Sequence, residues 1–167
     1  MNLNFYRLNK TENYIILDIK NDIKDENTFL NNFASLIVNN VDIIQIKNSS
    51  LSVKRFIPLA NKIKNLCAEF NVIFLLSDRC DVTIKVNSDG ICMSENELDI
   101  HFARHLLGKD KIIGQEIVSP NTDIQDNADF LIIQKKSNTI KDKICFIKKQ
   151  TKQFQEYDLL YLVRAYP

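Results

Sequence analysis

Apolar runs of strand length recur along the chain, and segments with helical periodicity separate several of them. The strand-like runs cover residues 14–19, 41–46, 72–77, 89–94, 111–117, 128–133, 143–148 and 157–163. Most are almost continuously apolar, a pattern typical of parallel strands that are covered on both faces. The pattern therefore predicts a parallel sheet within an α/β fold.

Three of the intervening segments place apolar residues at the spacing of an amphipathic helix. They cover residues 28–40, 52–70 and 99–110. Ser52 is a candidate N-cap of the second helix, and Gly108 lies near the end of the third. Pro58 falls early in the second helix and interrupts its regularity without removing its apolar face.

Eight strand-like runs predict a shortened (β/α)8 TIM-type barrel, with an open doubly wound sheet as the alternative. Typical barrels have about 250 residues, whereas this chain has 167. The connections at residues 134–142 and 149–156 are shorter than the dozen or more residues of a usual helical crossover. We therefore expect one domain, residues 1–167, in which the helices after strands 6 and 7 are missing.

Composition excludes several classes of protein. The 22 Lys and Arg residues nearly balance the 21 Asp and Glu residues, so no overall charge favours nucleic acid or an anionic membrane as a partner. The chain contains neither an apolar run of about 18 residues nor the pattern of a signal peptide. The four cysteines form no C-x-x-C pair, which favours reduced thiols. We expect a cytoplasmic protein without a nucleic-acid or membrane partner.

The last three strand-like runs carry apolar side chains on both faces, although the covering helices are missing there. An uncovered apolar patch of this kind usually marks an interface, because burying it yields about 25 cal/mol per Å². The sequence therefore predicts a two-fold homodimer that pairs the outer surfaces of strands 6 to 8 around Phe130, Phe146 and Tyr161.

Polar residues stand out in the strand-like run at 41–46 and in the helix predicted at 99–110. The run ends around Gln45, Lys47 and Asn48, whose side chains either meet solvent or line a binding site. His101 and His105 have the i, i+4 spacing of a zinc-binding helix. Because the sequence offers no third ligand near them, we interpret them as part of a solvated helix face.

Several segments resemble the landmarks of thiamine phosphate synthases and the related thiazole tautomerases in order and spacing. They are VDIIQIKNSS, FNVIFLLSDRCDVTIKVNSDGICMSENELD, ARHLLGKDKIIG and NADFLII. The resemblance is good over residues 41–134 and weaker towards the C-terminus. It implies a barrel in which Mg²⁺ and cationic side chains hold an aminopyrimidine diphosphate. After pyrophosphate leaves, a thiazole phosphate captures the pyrimidine cation.

The resemblance also implies the positions of site residues. Asp78 and Glu97 correspond to the metal-binding carboxylates, with Mg²⁺ as the implied cofactor. In the family's Q-x-R-x-K pattern, Gln45 is kept and Lys47 replaces the arginine. The residues that would face substrate or phosphate are Gln45, Lys47, Ser77, Thr139, Lys148, Lys149 and Arg164.

Other positions depart from the family pattern. Glu116 replaces the serine of a G-x-S motif and would place a negative charge beside pyrophosphate. The histidine that serves the tautomerases falls near Val118. The chain has three glycines and none after Gly114, so a glycine-rich backbone cradle for phosphate cannot form in the usual way. The later lysines either replace that cradle or simply lie on exposed loops.

These observations lead to two hypotheses. We expect a degenerate thiamine phosphate synthase-like protein with little or no synthase activity, in which binding of a phosphorylated ligand, another anion or a partner could be retained. The alternative is an active Mg²⁺-dependent synthase whose relaxed site uses Lys47, Asp78, Glu97 and the later lysines.

Overall fold

The computed structural model describes residues 13–20, 23–38, 41–94, 99–117, 123–133 and 164–165. Within them the strands are β1 (Tyr14–Ile19), β2 (Ile43–Asn48), β3 (Ile73–Ser77), β4 (Gly90–Met93), β5 (Ile112–Ile117), β6 (Phe130–Ile133) and β7 (Arg164–Ala165). The helices are α1 (Glu26–Ile37), α2 (Val53–Glu69), α3 (Cys80–Val86) and α4 (Ile100–Leu107).

The strands form one parallel sheet in the order β6-β5-β4-β3-β2-β1-β7. From β1 to β6 each strand lies beside the next one in sequence, and β7 pairs with β1 through Ile15↔Arg164 and Ile16↔Ala165. A doubly wound sheet would instead reverse its strand order at a switch point near its middle. The sheet is therefore a curled barrel wall, and the alternative of an open doubly wound sheet is wrong.

Most predicted elements agree with the structure, but three details need correction. Strand β2 begins at Ile43 and extends to Asn48, so Lys47 belongs to the strand itself. The last strand-like run was predicted to end at residue 163, whereas Arg164 lies within β7. Helix α3 is absent from the predicted elements because its seven residues are too short to show a clear apolar period. The connections predicted to lack helices lie outside the described residues.

Local capping explains where several helices begin and end. The carboxylate of Asp25 accepts hydrogen bonds from the backbone N–H groups of Asn27 and Thr28 and so caps α1. Asp99 caps α4 in the same way, and Gly108 follows that helix with a φ of +76°. Ser52 occupies the N-cap position of α2, as predicted, although its side chain makes no capping hydrogen bond.

The outer face of the sheet packs against the helices. Side chains of Ile44 and Phe74 contribute to this core, together with Phe33 from α1 and Phe56 and Ile63 from α2. A second cluster on the same side joins β4, β5 and β6 to α4. Because alternate residues of a strand point to opposite faces, this packing determines which residues face inward.

The inner face carries a separate cluster made of strand side chains. Its buried members are Tyr14, Ile43, Ile73, Leu75, Cys92, Ile112, Phe130 and Ile132. Phe130 is only 2% exposed, and its ring centroid lies 6.0 Å from that of Tyr14. Placing Phe130 on an outward dimer surface is therefore wrong: its position in β6 directs it inward, where Gly114 leaves room for its ring.

No helix among the described residues is both long enough and apolar enough to cross a membrane.

Candidate functional site

Polar side chains from neighbouring strands meet on the inner face, towards the carboxyl ends of the sheet. Gln45 and Lys47 share this face of β2 because they are two residues apart. Ser77 comes from the end of β3 and Glu116 from β5. Barrel enzymes place their sites at this end of the sheet. The structure thus directs Gln45 and Lys47 towards the inner face of the sheet.

Gln45 is the centre of the cluster. The residue is fully buried, and its side-chain Oε1 accepts a hydrogen bond of 2.8 Å from the hydroxyl of Tyr14. Its Nε2 donates to Ser77 Oγ at 2.7 Å and to Glu116 Oε1 at 3.1 Å. Both N–H groups of the amide are therefore used, as a buried amide requires.

Lys47 and Glu116 form an ion pair within the same cluster. Lys47 Nζ lies 2.6 Å from Glu116 Oε1, the oxygen that also accepts from Gln45. The Glu116 side chain is 4% exposed, whereas the Lys47 side chain is 26% exposed. A buried carboxylate of this kind requires a cation and hydrogen-bond donors, and Lys47 and Gln45 supply both.

Tyr14 and Cys92 belong to the apolar cluster of the inner face and lie next to these polar residues. Burial raises the pKa of the Tyr14 phenol well above its usual range, and electrostatic interactions with Cys92 and Glu116 add to the rise. Burial likewise raises the pKa of the Cys92 thiol, with further contributions from Glu116 and Asp78. Both groups therefore stay protonated near neutral pH and support the cluster through hydrogen bonding and packing.

Asp78 is held at the end of β3 in a left-handed conformation, with a φ of +63°. Its two carboxylate oxygens accept hydrogen bonds from the backbone N–H of Ser94, at 2.6 Å, and from the Ser94 hydroxyl, at 2.9 Å. Its own N–H donates to the carbonyl of Cys92. Arg79 pairs with Asp81 and not with Asp78. Asp78 therefore ties the end of β3 to the end of β4.

Among the described residues, Asp78 is the predicted magnesium ligand whose surroundings can be seen. Mg²⁺ requires near-octahedral coordination by oxygen atoms, usually with one or two carboxylates among them. Asp78 supplies a single carboxylate that is already hydrogen-bonded to Ser94. The described part of the chain holds no group of three or more His, Cys, Asp or Glu residues that could bind a metal. Glu97, the second predicted ligand, lies outside that part.

The other predicted site residues have different outcomes. Asn48 accepts from the N–H of Leu51 and donates to its carbonyl, so it shapes the loop before α2. His101 and His105 are exposed on α4, as predicted. Thr139, Lys148 and Lys149 lie outside the described residues.

Two residues of the cluster have no assigned role in the sequence-based prediction. Tyr14 stands at the start of its strand, where the alternating direction of side chains could have placed it inside. For Cys92 the sequence predicts only a reduced thiol. Glu116 was identified as a departure from the family pattern, but its partners could not be inferred from sequence.

The parallel barrel wall and the inward polar cluster at its carboxyl end define an α/β protein of the barrel class. Residues 13–159 match the family model described as thiamine monophosphate synthase. The chain belongs to this family.

The comparisons with individual proteins agree with this assignment. The chain is 34% identical over 106 residues to the thiamine-phosphate synthase of Campylobacter jejuni strain 81-176, covering 64% of this chain and 50% of the relative. It is 26% identical over 140 residues to the thiamine-phosphate synthase of Methanobrevibacter smithii, covering 81% and 67%. The chain thus spans about half the length of the Campylobacter jejuni relative.

A solved structure supports the fold. The thiamine phosphate pyrophosphorylase from Pyrococcus furiosus superimposes with a TM-score of 0.71 at 19% identity, over 92% of this chain and 75% of that one.

Proposed function

We propose that this chain is a degenerate thiamine phosphate synthase-like protein with little or no synthase turnover. The observation that carries the proposal is the buried contact of Glu116 with Lys47 and Gln45, at 2.6 Å and 3.1 Å. These two residues hold the positions that the family resemblance assigns to substrate. In this chain they bind a carboxylate of the protein itself.

Charge explains why this contact opposes the reaction. Departure of pyrophosphate builds negative charge, which an active site stabilises with cations and N–H donors. At an effective dielectric constant of about 20, two negative charges about 4 Å apart repel by about 4 kcal/mol, and the Lys47 ammonium beside Glu116 reduces this repulsion. Each ~1.4 kcal/mol of it that is felt more strongly in the transition state lowers the rate about tenfold. The position of Asp78, hydrogen-bonded to Ser94, also favours a structural role over metal binding.

The test is a synthase assay with the aminopyrimidine diphosphate, the thiazole phosphate and Mg²⁺. The thiamine-phosphate synthase of Campylobacter jejuni serves as the positive control. We expect no turnover by this chain above background. A rate within the ordinary enzyme range of about 1 to 1000 per second would contradict the proposal.

The same assay decides the alternative of an active Mg²⁺-dependent synthase. In that case turnover would require Mg²⁺, and Asp78→Ala would abolish this Mg²⁺-dependent turnover. Asp81→Asn, which removes an exposed carboxylate that pairs with Arg79, is the matched control. It should leave any measured rate unchanged.

We also propose that the chain forms a homodimer through the outer surfaces of its C-terminal strands. Phe146 and Tyr161 remain the candidate contact residues, whereas Phe130 faces inward. Light scattering at micromolar concentration should give twice the monomer mass of 19.4 kDa. A stable monomer would contradict this proposal.

A further inference from the structure

The contact around Glu116 has the geometry of an occupied anion site. One oxygen, Glu116 Oε1, receives the ammonium of Lys47 and the amide N–H of Gln45. A cation and an N–H group directed at one sheltered oxygen are the elements with which proteins hold carboxylates and phosphates. Here the anion is the carboxylate of Glu116, which belongs to β5, three strands away from β2 in the sheet.

We propose that Glu116 is an internal occupant of a small oxyanion site built by Lys47 and Gln45. Removing its carboxylate makes that site available to a free carboxylate or phosphate. The inference rests on the proposed function, because both start from the observation that Glu116 occupies the position beside Lys47 and Gln45. It goes further by naming the class of ligand and the residue that excludes it.

Gln45 is held in place independently of Glu116. Gln45 is anchored by the Tyr14 hydroxyl at one end of its amide and by Ser77 Oγ at the other. Its remaining N–H direction is the one that reaches Glu116. An anion that replaces the carboxylate therefore meets a donor that needs little reorganisation, which favours binding.

The Lys47 side chain is the part of the ion pair that is in contact with solvent. Its side chain is 26% exposed, whereas that of Glu116 is 4% exposed. An ion can therefore approach along the ammonium group and reach the position that the carboxylate leaves. The opening left by Glu116→Ala has the size of the deleted side-chain atoms, which suits acetate and inorganic phosphate as probes.

The experiment compares four forms of the full chain: wild type, Glu116→Ala, Glu116→Ser and Asp81→Asn. Isothermal titration calorimetry at constant ionic strength measures the binding of inorganic phosphate and of acetate. We expect Glu116→Ala to bind at least one of these ions at least tenfold more tightly than wild type. Asp81→Asn changes the net charge by the same amount and frees Arg79 at the surface, and it should bind as wild type does.

A second substitution tests the site itself. Adding Lys47→Met to Glu116→Ala should abolish the gain in affinity, because the cation of the site is then lost. Where the alanine variant does not fold, Glu116→Ser removes the same carboxylate and leaves a similar opening. We expect that variant to gain at least threefold in affinity, and Lys47→Met should again abolish the gain.

Three results would overturn the inference: no gain in the folded Glu116 variants, an equal gain in Asp81→Asn, or a gain that survives Lys47→Met. None of these measurements involves turnover. Synthase activity in the wild type would therefore refute the proposed function while leaving the comparison of phosphate and acetate affinities intact.

Discussion

Replacing Lys47 with methionine should destabilise the fold, because it removes the ammonium group that lies 2.6 Å from the buried Glu116 carboxylate. The Glu116 side chain is 4% exposed, so water cannot solvate it in place. Removing one partner of a buried ion pair costs about 3 to 5 kcal/mol. Since the Lys47 side chain is 26% exposed, part of the pair is screened by water, and we expect a loss of about 3 kcal/mol.

The reverse substitution should cost less. Glu116→Gln leaves the Lys47 ammonium partly in contact with water, and the new amide oxygen can still accept from Gln45, so we expect a loss of about 1 kcal/mol. The double variant Lys47→Met/Glu116→Gln removes both charges of this pair and should lie within about 1 kcal/mol of wild type. The two substitutions are then coupled by about 3 kcal/mol, the upper end for residues in contact.

Urea unfolding at pH 7, followed by circular dichroism, measures all four free energies of unfolding. The dependence on denaturant should be the same in each variant, so that a shifted midpoint reports stability. Additive losses in the double variant would refute the reasoning. So would a loss below about 0.5 kcal/mol for Lys47→Met, a size usual for surface positions.

Three further predictions concern the framework around the site. Gly114→Ala should cost about 1 to 3 kcal/mol of stability, because the new Cβ would lie 2.2 Å from Phe130 Cζ. Midpoints of urea unfolding should show a smaller loss when the same substitution is made in a Phe130→Leu variant. Equal losses in the two backgrounds would contradict this reasoning. Burial raises the pKa of the Cys67 thiol from 9.0 to about 12. The unfolded chain therefore loses this proton first, and stability present below pH 9 should fall towards pH 12 by about 1.4 kcal/mol per pH unit. In urea titrations Cys67→Ala should lessen that slope, and an unchanged slope would argue against it. Asp78→Ala should be less stable than Asp78→Gly by about 1 kcal/mol in the same assay, because only glycine tolerates a positive φ without cost; equal stability would show that the backbone there relaxes.

Elements of secondary structure could be predicted from local patterns. The strand predicted at 14–19 is the observed β1, and the helix predicted at 52–70 is observed as Val53–Glu69. Apolar periodicity is a property of a few adjacent residues, so it survives without knowledge of the rest of the fold. Helix α3 escaped prediction because seven residues make too few turns to show a period.

The direction of side chains could be predicted only in part. Gln45 and Lys47 had to share one face of their strand, because alternate residues point the same way. In an almost wholly apolar run such as 128–133, composition does not distinguish the faces, and Phe130 was assigned to the wrong one. The helices packed on the outer side of the sheet decide the question.

The sequence by itself therefore determined the α/β class, most strand positions and the family resemblance. It also identified Glu116 as a departure from the family pattern. Only the tertiary structure decided what Glu116 contacts. Gln45 and Glu116 are 71 residues apart, and their meeting depends on the order, register and curvature of four adjacent strands. Those properties arise from packing across the whole sheet, so they cannot be predicted from local sequence patterns.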